Sequence, residues 1–289
     1  MTSGLVVVDK PADWTSHDVV GKLRRLAKTR RVGHAGTLDP MATGVLVIGV
    51  EKATRLLGHL ALTEKGYDGT IRLGQTTNTD DAEGEITASA SAAEVADEAL
   101  HAGIAKLTGE IQQVPPQVSA IKVNGERAYK MARKGEEVEL KARPVTIHDF
   151  TVKEIRRHGD LIDLDVSIAC TSGTYIRALA RDLGADLGCG GHLTALRRTR
   201  VGPYDLSMAR TIDQLTEELT ILPMAEAVAA AFPRRDVTAD DARKVMHGGK
   251  LPAAGLGPGP VGVFAPDGTL LALVEEQGHA AKPLAVFVP

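Results

Sequence analysis

A single carboxylate, Asp39, stands in the most unusual stretch of the chain, Arg31-Val-Gly-His-Ala-Gly-Thr-Leu-Asp-Pro-Met-Ala-Thr-Gly-Val45. Glycines at 33, 36 and 44 leave the backbone permissive on both sides of the acid. Pro40 fixes the torsion after Asp39 and biases Asp39 itself away from helical geometry. A reactive group on a shaped loop feeding a rigid element is a common arrangement for catalysis. An ionised carboxylate placed this way can attack an electrophilic carbon or draw off a proton. The Asp-Pro pair also has a purely structural reading, as an N-cap followed by the first residue of a helix.

The elements around it follow from periodicity and punctuation. Leu5–Val8 reads as a strand, Ser16–Leu26 as a helix capped by Ser16, and Val45–Val50 as a strand buried on both faces. A helix is expected over Lys52–Leu62, a strand over Tyr67–Leu73, and a loop around Asn78, Asp80, Asp81 and Gly84. Ala92–Leu107 has helical spacing, and Val114-Pro-Pro breaks it. Ser119–Val123 with Asn124-Gly125 gives a strand and tight turn, and Glu126–Lys134 a helix ended by Gly135. Ile162, Leu164, Val166, Ile168 and Cys170 alternate as a half-buried strand, and Thr174–Leu187 returns to helical period. Past Pro233 the texture changes. Thr238 with Asp241 opens a short helix, and then come a Gly/Pro loop and short strands over 261–264, 269–274 and 284–288. A domain boundary is therefore set near residue 234, dividing 1–234 from 235–289.

The net charge of −3 argues weakly against a nucleic-acid partner, but the average hides segregation. Residues 22–31 hold six cations and no anion, residues 122–143 hold seven cations against four anions, and Arg197, Arg198 and Arg200 form a third cluster. Three basic segments that converge would bind phosphates; as separate solvated faces they would not. No apolar run is long enough to cross a membrane, and the N-terminus lacks the layout of a signal peptide. Cys170 and Cys189 suggest neither a disulfide framework nor zinc spacing, which fits a reducing cytoplasm. No metal-ligand cluster and no phosphate-cradling glycine motif appears, so neither metal nor organic cofactor is expected.

The segment Gly33-His-Ala-Gly-Thr-Leu-Asp-Pro-Met-Ala-Thr-Gly-Val-Leu-Val-Ile-Gly-Val50 resembles the central motif of the TruB family of tRNA pseudouridine-55 synthases. Other stretches resemble the family's motifs in the same order. They are Val8-Asp-Lys-Pro11 with Thr15-Ser-His17, Lys65-Gly-Tyr67, Val114 to Tyr129, Cys170-Thr-Ser-Gly-Thr-Tyr-Ile-Arg177 and Gly191-His-Leu-Thr-Ala-Leu-Arg-Arg198. The resemblance covers about residues 4–235, and the part from 235 resembles a PUA-type β-domain more weakly. It implies a mixed α/β catalytic domain around a curved, mostly antiparallel sheet, with a thumb insertion at about 115–145 and a small β-rich PUA-like domain.

The resemblance also implies roles. Asp39 matches the nucleophile, Tyr67 the tyrosine against the target base, and Arg177 the arginine that pairs with the aspartate. His34 matches a histidine inserted into the T-loop, and Tyr175 and Leu196 match residues lining the uracil pocket. The expected reaction breaks the N1–C1′ bond of a flipped uridine and joins C5 to C1′, either through attack of the carboxylate on C1′ or through elimination to a glycal. Thumb cations Lys122, Arg127, Lys130, Arg133, Lys134, Lys141 and Arg143 are expected at phosphates, with Gly125 and Gly135 allowing movement. The expected partner is the T-arm of tRNA, with no guide RNA and no membrane, and the expected state is a monomer in the cytoplasm. Rival readings are an RNA-binding or tRNA-folding protein, which can coexist with catalysis, a nucleoside hydrolase lacking an evident second carboxylate, and the guide-RNA-dependent relative.

Overall fold

The computed structural model describes residues 2–118, 122–123, 126–127 and 140–287. The chain begins with β1 (Gly4–Lys10) and α1 (Ser16–Leu26). Thr15, rather than Ser16, caps α1. Its extended backbone lets its hydroxyl accept from the Asp18 N–H at 3.1 Å while the Asp18 carboxylate accepts from the Thr15 N–H at 2.9 Å, a reciprocal capping box. Ser16 instead uses its hydroxyl on Leu38, accepting from its N–H at 2.9 Å and donating to its carbonyl at 3.1 Å.

β2 (Val32–Ala35) and β3 (Thr43–Val50) follow. The helix expected over 52–62 is a 3-10 turn, Glu51–Leu56, leading into a single α turn, α2 (Leu57–Leu60). The Thr54 hydroxyl donates to the Glu51 carbonyl at 2.7 Å, a three-residue closure that tightens the turn. β4 (Lys65–Leu73), β5 (Gln75–Thr77) and β6 (Ile86–Ser89) precede α3 (Asp97–Lys106). α3 starts five residues later than its apolar spacing suggests. The Ala92 N–H goes to the Asp160 carbonyl at 2.8 Å and Val95 closes a turn on Ala92, so the chain enters the helix only at the extended cap Ala96.

β7 (Gly109–Gln113) separates α3 from the Pro-Pro break. β8 (Lys122–Val123) pairs with β9 (Glu126–Arg127), so Glu126 and Arg127 are strand where a helix was expected; 128–134 and Gly135 lie outside the described residues. β10 (Arg143–His158), β11 (Leu161–Cys170), α4 (Ile176–Asp186) and β12 (Gly191–Val201) complete the middle of the chain. The last part holds β13 (Tyr204–Asp205), α5 (Ile212–Glu217), β14 (Leu222–Pro223), α6 (Met224–Ala231) and β15 (Arg234–Asp236). It ends in α7 (Ala239–Met246), β16 (Leu251–Pro252), β17 (Pro260–Phe264), β18 (Leu270–Gln277) and β19 (Ala280–Val286). Thr238 caps α7 and accepts from the Asp241 N–H, as the sequence indicated.

These elements form two compact units, Met1–Leu38 with Val45–Ala61 and Val201–Pro289, and Asp39–Gly44 with Leu62–Arg200. In the first, β14–β1–β3 are neighbours with β2 on β3, and His34 lies opposite Ile48. The same unit contains a five-stranded sheet, β15–β17–β18–β19–β16. Lys52 and Arg55 reach the carbonyls of Phe287 and Val286, each at 2.8 Å.

The second unit is built on the order β12–β4–β11–β10–β7. β4, β11, β10 and β7 are antiparallel, with Tyr67 opposite Ile168 and Lys65 opposite Cys170. Ile71, Leu73, Ile162, Leu164, Val166 and Ile168 form its core with Leu179 and Leu183 of α4. Bulges between Ile147 and Asp149 and between Val152 and Glu154 bend the long β10. The end of the Asp39 loop joins this sheet directly, since Thr43 and Gly44 pair in parallel with Arg197 and Arg198.

Gly44 has a φ of +97°, and a Cβ there would run into the Arg198 carbonyl. A Gly44→Ala variant is expected to lose roughly 1–3 kcal/mol of stability and to loosen the loop. Urea unfolding measures this; an unchanged midpoint would show that the turn tolerates a side chain.

Candidate active site

α4 begins at the extended residue Tyr175 and carries Arg177 inward in its first turn, where the side chain is 6% exposed. A buried guanidinium must be fully partnered, and the partners come from three other segments. Its Nε meets Asp39 Oδ2 at 3.1 Å, and its Nη1 meets Asp81 Oδ2 at 3.1 Å. Nη1 also donates to the Thr79 carbonyl at 2.8 Å, and Nη2 to the Val118 carbonyl at 3.0 Å. The two acids differ: Asp81 is 2% exposed, whereas Asp39 keeps 37% of its side chain open. One carboxylate is locked as a counter-ion, and the other is held by the same cation while facing outward. The adjacent positive charge favours the ionised form of Asp39.

The loop around Asp81 is stiffened by its own acid. Asp81 Oδ1 accepts from the Thr79 hydroxyl at 2.6 Å and the Glu83 N–H at 3.1 Å. Ala82 and Leu193 continue this with a backbone bond of 2.9 Å to β12. Asp39 itself is shaped by a turn in which Ala42 donates to its carbonyl at 3.1 Å.

Tyr67 is buried on β4. Burial pushes its phenol above the usual tyrosine value, while the Arg198 guanidinium, which hydrogen-bonds it, pulls the other way, and Asp39 is within electrostatic reach. The Tyr67 hydroxyl is thus held neutral at ordinary pH. Two residues earlier, burial together with the charge of Arg198 pulls Lys65 down to about 8. Its Nζ donates to the Thr63 carbonyl at 2.9 Å. Burial raises the Cys170 thiol to about 11, which leaves it unreactive.

Lys65 has a stability consequence. Its folded value lies below the 10.5 of a free lysine, so between about 8 and 10.5 the unfolded chain binds more protons and folding strengthens as pH rises. Relative to Lys65→Met, the wild-type protein should gain about 2 kcal/mol between pH 8 and pH 10. Parallel urea titrations at both pH values test this, and a constant difference would refute it.

An open cleft of about 560 Å³ runs beside the loop, lined by Met41, Thr43, Glu83, Leu196 and Arg197 near Asp39 and by Asp68, Lys153 and Asp165 further along the sheet. This volume suits a ligand of nucleotide size. Glu83 is raised above the ordinary carboxylate value, first by burial and then by the charges of Asp81 and Asp39. On the sheet face Lys153 bonds Asp68 at 2.8 Å, and Arg156 and Thr70 both bond Asp165.

Of the six residues singled out by sequence, the structure brings Asp39 and Arg177 into contact, sets Tyr67 within electrostatic reach of Asp39, places Leu196 on the cleft and puts Tyr175 at the start of the helix that carries Arg177. His34 lies in the other compact unit, where its ring meets His17 edge-on at 5.5 Å. Sequence reasoning missed Asp81, which it read as loop acid, and the place of Arg198 against Tyr67, since it counted Arg198 only within a basic cluster and a motif although it is 1% exposed. Gln113 was also missed. A buried acid is legible in sequence only through its partner, and that partner lies on a helix far along the chain. Among the described residues no group of His, Cys, Asp and Glu is arranged to hold a metal, and no helix is long and apolar enough to cross a membrane.

Residues 24–176 match the model of the TruB family pseudouridylate synthase (N terminal domain). Residues 177–229 match the tRNA pseudouridylate synthase B C-terminal domain, and residues 232–288 match tRNA Pseudouridine synthase II, C terminal. A protein named tRNA pseudouridine synthase B from Thermobifida fusca is 63% identical over 291 residues, spanning 99% of each chain. One of the same name from Streptomyces avermitilis is 65% identical, over 98% of this chain and 97% of the relative. Among solved structures, a chain of an H/ACA RNP bound to a substrate RNA containing 2′-deoxyuridine aligns with a TM-score of 0.75 at 25% identity, over 99% of this chain and 85% of that one. A chain of a Cbf5-Nop10-Gar1 complex aligns with a TM-score of 0.75 at 27% identity, with the same coverage.

Proposed function

The chain belongs to the TruB family of pseudouridylate synthases, and on that premise we propose that it isomerises uridine 55 in the T-loop of tRNA, with Asp39 as the nucleophile. The observation that carries the reading is the Asp39–Arg177 pair, two residues from the cleft-lining Met41: a partly open carboxylate fixed by a buried guanidinium at 3.1 Å. Breaking the N1–C1′ bond leaves positive character at C1′ and negative charge on uracil, so an ionised carboxylate at C1′ and a cation near the base serve both ends. Asp39 either bonds C1′ and is later displaced by C5, or takes the C2′ proton so that a glycal forms and returns it to C2′ as C5 adds to C1′. In both routes C5 joins C1′, the C5 proton leaves, and N1 gains a proton. Tyr67, neutral and buried against Arg198, offers an aromatic face to the base and a hydroxyl that relays the C5 proton to the Asp39 carboxylate once C5 has joined C1′.

Tyr175 and Leu196 line the uracil pocket in this reading, and His34 supports the T-loop once the base has left its stack. The basic segment on α1 and the cations at 122–143 meet phosphates. Residues 1–234 form the catalytic domain and 235–289 a PUA-like domain, a division supported by the five-stranded sheet that begins at Arg234 and by the change of matching family model at 232. The protein works in the cytoplasm as a monomer without guide RNA. A tRNA-folding role can accompany the chemistry.

The test is release of tritium from a T-arm transcript labelled at C5 of uridine. The expected yield is one tritium per RNA from a transcript with uridine at position 55, and none when position 55 is cytidine. Tight binding without release would leave an RNA-binding or RNA-folding protein.

A further inference from the structure

α4 is capped in an unusual way. Its N-cap residue, Tyr175, makes no side-chain cap bond. The carboxamide of Gln113 instead clamps this N-cap residue from another element, accepting from the Tyr175 N–H at 2.8 Å and donating to the Tyr175 carbonyl at 3.1 Å. Gln113 is the last residue of β7 and is 1% exposed. The segment that leaves it is gripped twice more by the same helix, since Arg181 donates to the Val114 carbonyl at 2.7 Å and Arg177 to the Val118 carbonyl at 3.0 Å. Arg181 is one turn beyond Arg177 and meets Asp80 at 3.1 Å, next to the Asp81 that binds Arg177.

The geometry points to Gln113 as a positioning residue for the isomerisation: its amide sets the first turn of α4, and through it the place of Arg177 against Asp39. An amide fits, because the extended residue Tyr175 presents its own N–H and C=O to the same neighbour, and a carboxamide answers both at once without carrying charge. The reach of Gln is needed because the contact crosses from a strand to a neighbouring helix. Arg177 is two residues from the pinned peptide, so a small shift of Tyr175 moves the guanidinium bodily. Misplacement by about 1 Å can cost on the order of 10²-fold in rate.

The inference rests on the proposed isomerisation, so tritium release by the wild-type protein is measured in the same assay and tests that reading separately. Three variants are compared under single-turnover conditions with saturating T-arm RNA: Gln113→Met, Gln113→Glu, and Gln112→Met at the exposed neighbouring position. Gln113→Met keeps the volume and removes both bonds. It is expected to lower the single-turnover rate at least tenfold, with RNA binding within twofold of wild type and the rate corrected for the folded fraction. Gln113→Glu keeps the acceptor and, while its buried carboxyl is protonated, the donor. It should recover most of the rate at pH 6 and lose it progressively above neutrality, a pH profile the wild type lacks. Gln112→Met should match the wild type. The proposal is overturned by a wild-type rate in Gln113→Met, by a loss that follows only the folded fraction, or by a Gln113→Glu profile that parallels the wild type.

Discussion

An Asp39→Asn variant should bind T-arm RNA with wild-type affinity and isomerise it on the order of 10⁴-fold more slowly or worse. An amide has nearly the shape of the carboxylate but neither its charge nor its nucleophilicity, so either route through C1′ is closed. The fold should survive the change. Asp39 is partly open to solvent, and Arg177 keeps its ion pair with Asp81 and its bonds to two carbonyls. Single-turnover tritium release measures the rate, and filter binding measures affinity. A residual rate within about 100-fold of wild type would rule out Asp39 as the nucleophile.

Replacing Asp81 by alanine should destabilise the protein by about 3–5 kcal/mol, because a guanidinium that is 6% exposed loses its buried counter-ion. The melting temperature should fall by about 10 °C. The loss extends to the loop, since Asp81 Oδ1 also holds the Thr79 hydroxyl and the Glu83 N–H. Asp81→Asn is expected to be little gentler. Its oxygen can keep those two bonds, but its NH₂ then faces the Nη1 of Arg177, donor against donor. The remaining folded protein should also react more slowly, because Arg177 is free to follow Asp39 rather than hold it. Scanning calorimetry of both variants checks the stability, and a shift under 3 °C would mean that solvent or another group replaces Asp81.

The difference between these two acids explains what the sequence made legible. Asp39 stands out because its loop is written locally, in glycines and a proline around one acid, and because its family motif is contiguous. Tyr67 and Arg177 were found by motif and would have passed as a strand tyrosine and a helix arginine. Asp81 lies in a stretch of acids that reads as solvated loop, and nothing near it in the chain announces that a cation will cover it. β10 escaped for a different reason. Lys153, Arg156, Arg157 and His158 put polar groups on both faces of its second half, and two bulges break the alternation that a strand pattern depends on. Boundaries that slipped, such as the start of α3, were moved by bonds to distant residues, here Asp160.

The pairing of Gln113 with Arg143 also bears on how this enzyme can be rebuilt. The ladder of β7 and β10 closes residues 114–142 at their base, so the entropy of closing that loop is already met by the sheet. Each doubling of such a loop costs only about 0.6 kcal/mol. The region between those two residues is therefore a port where stretches of other lengths can be grafted. The constraint falls on the roots: a graft that keeps Gln113 and the carbonyls of Val114 and Val118 in place should leave Arg177 and Arg181 with their partners.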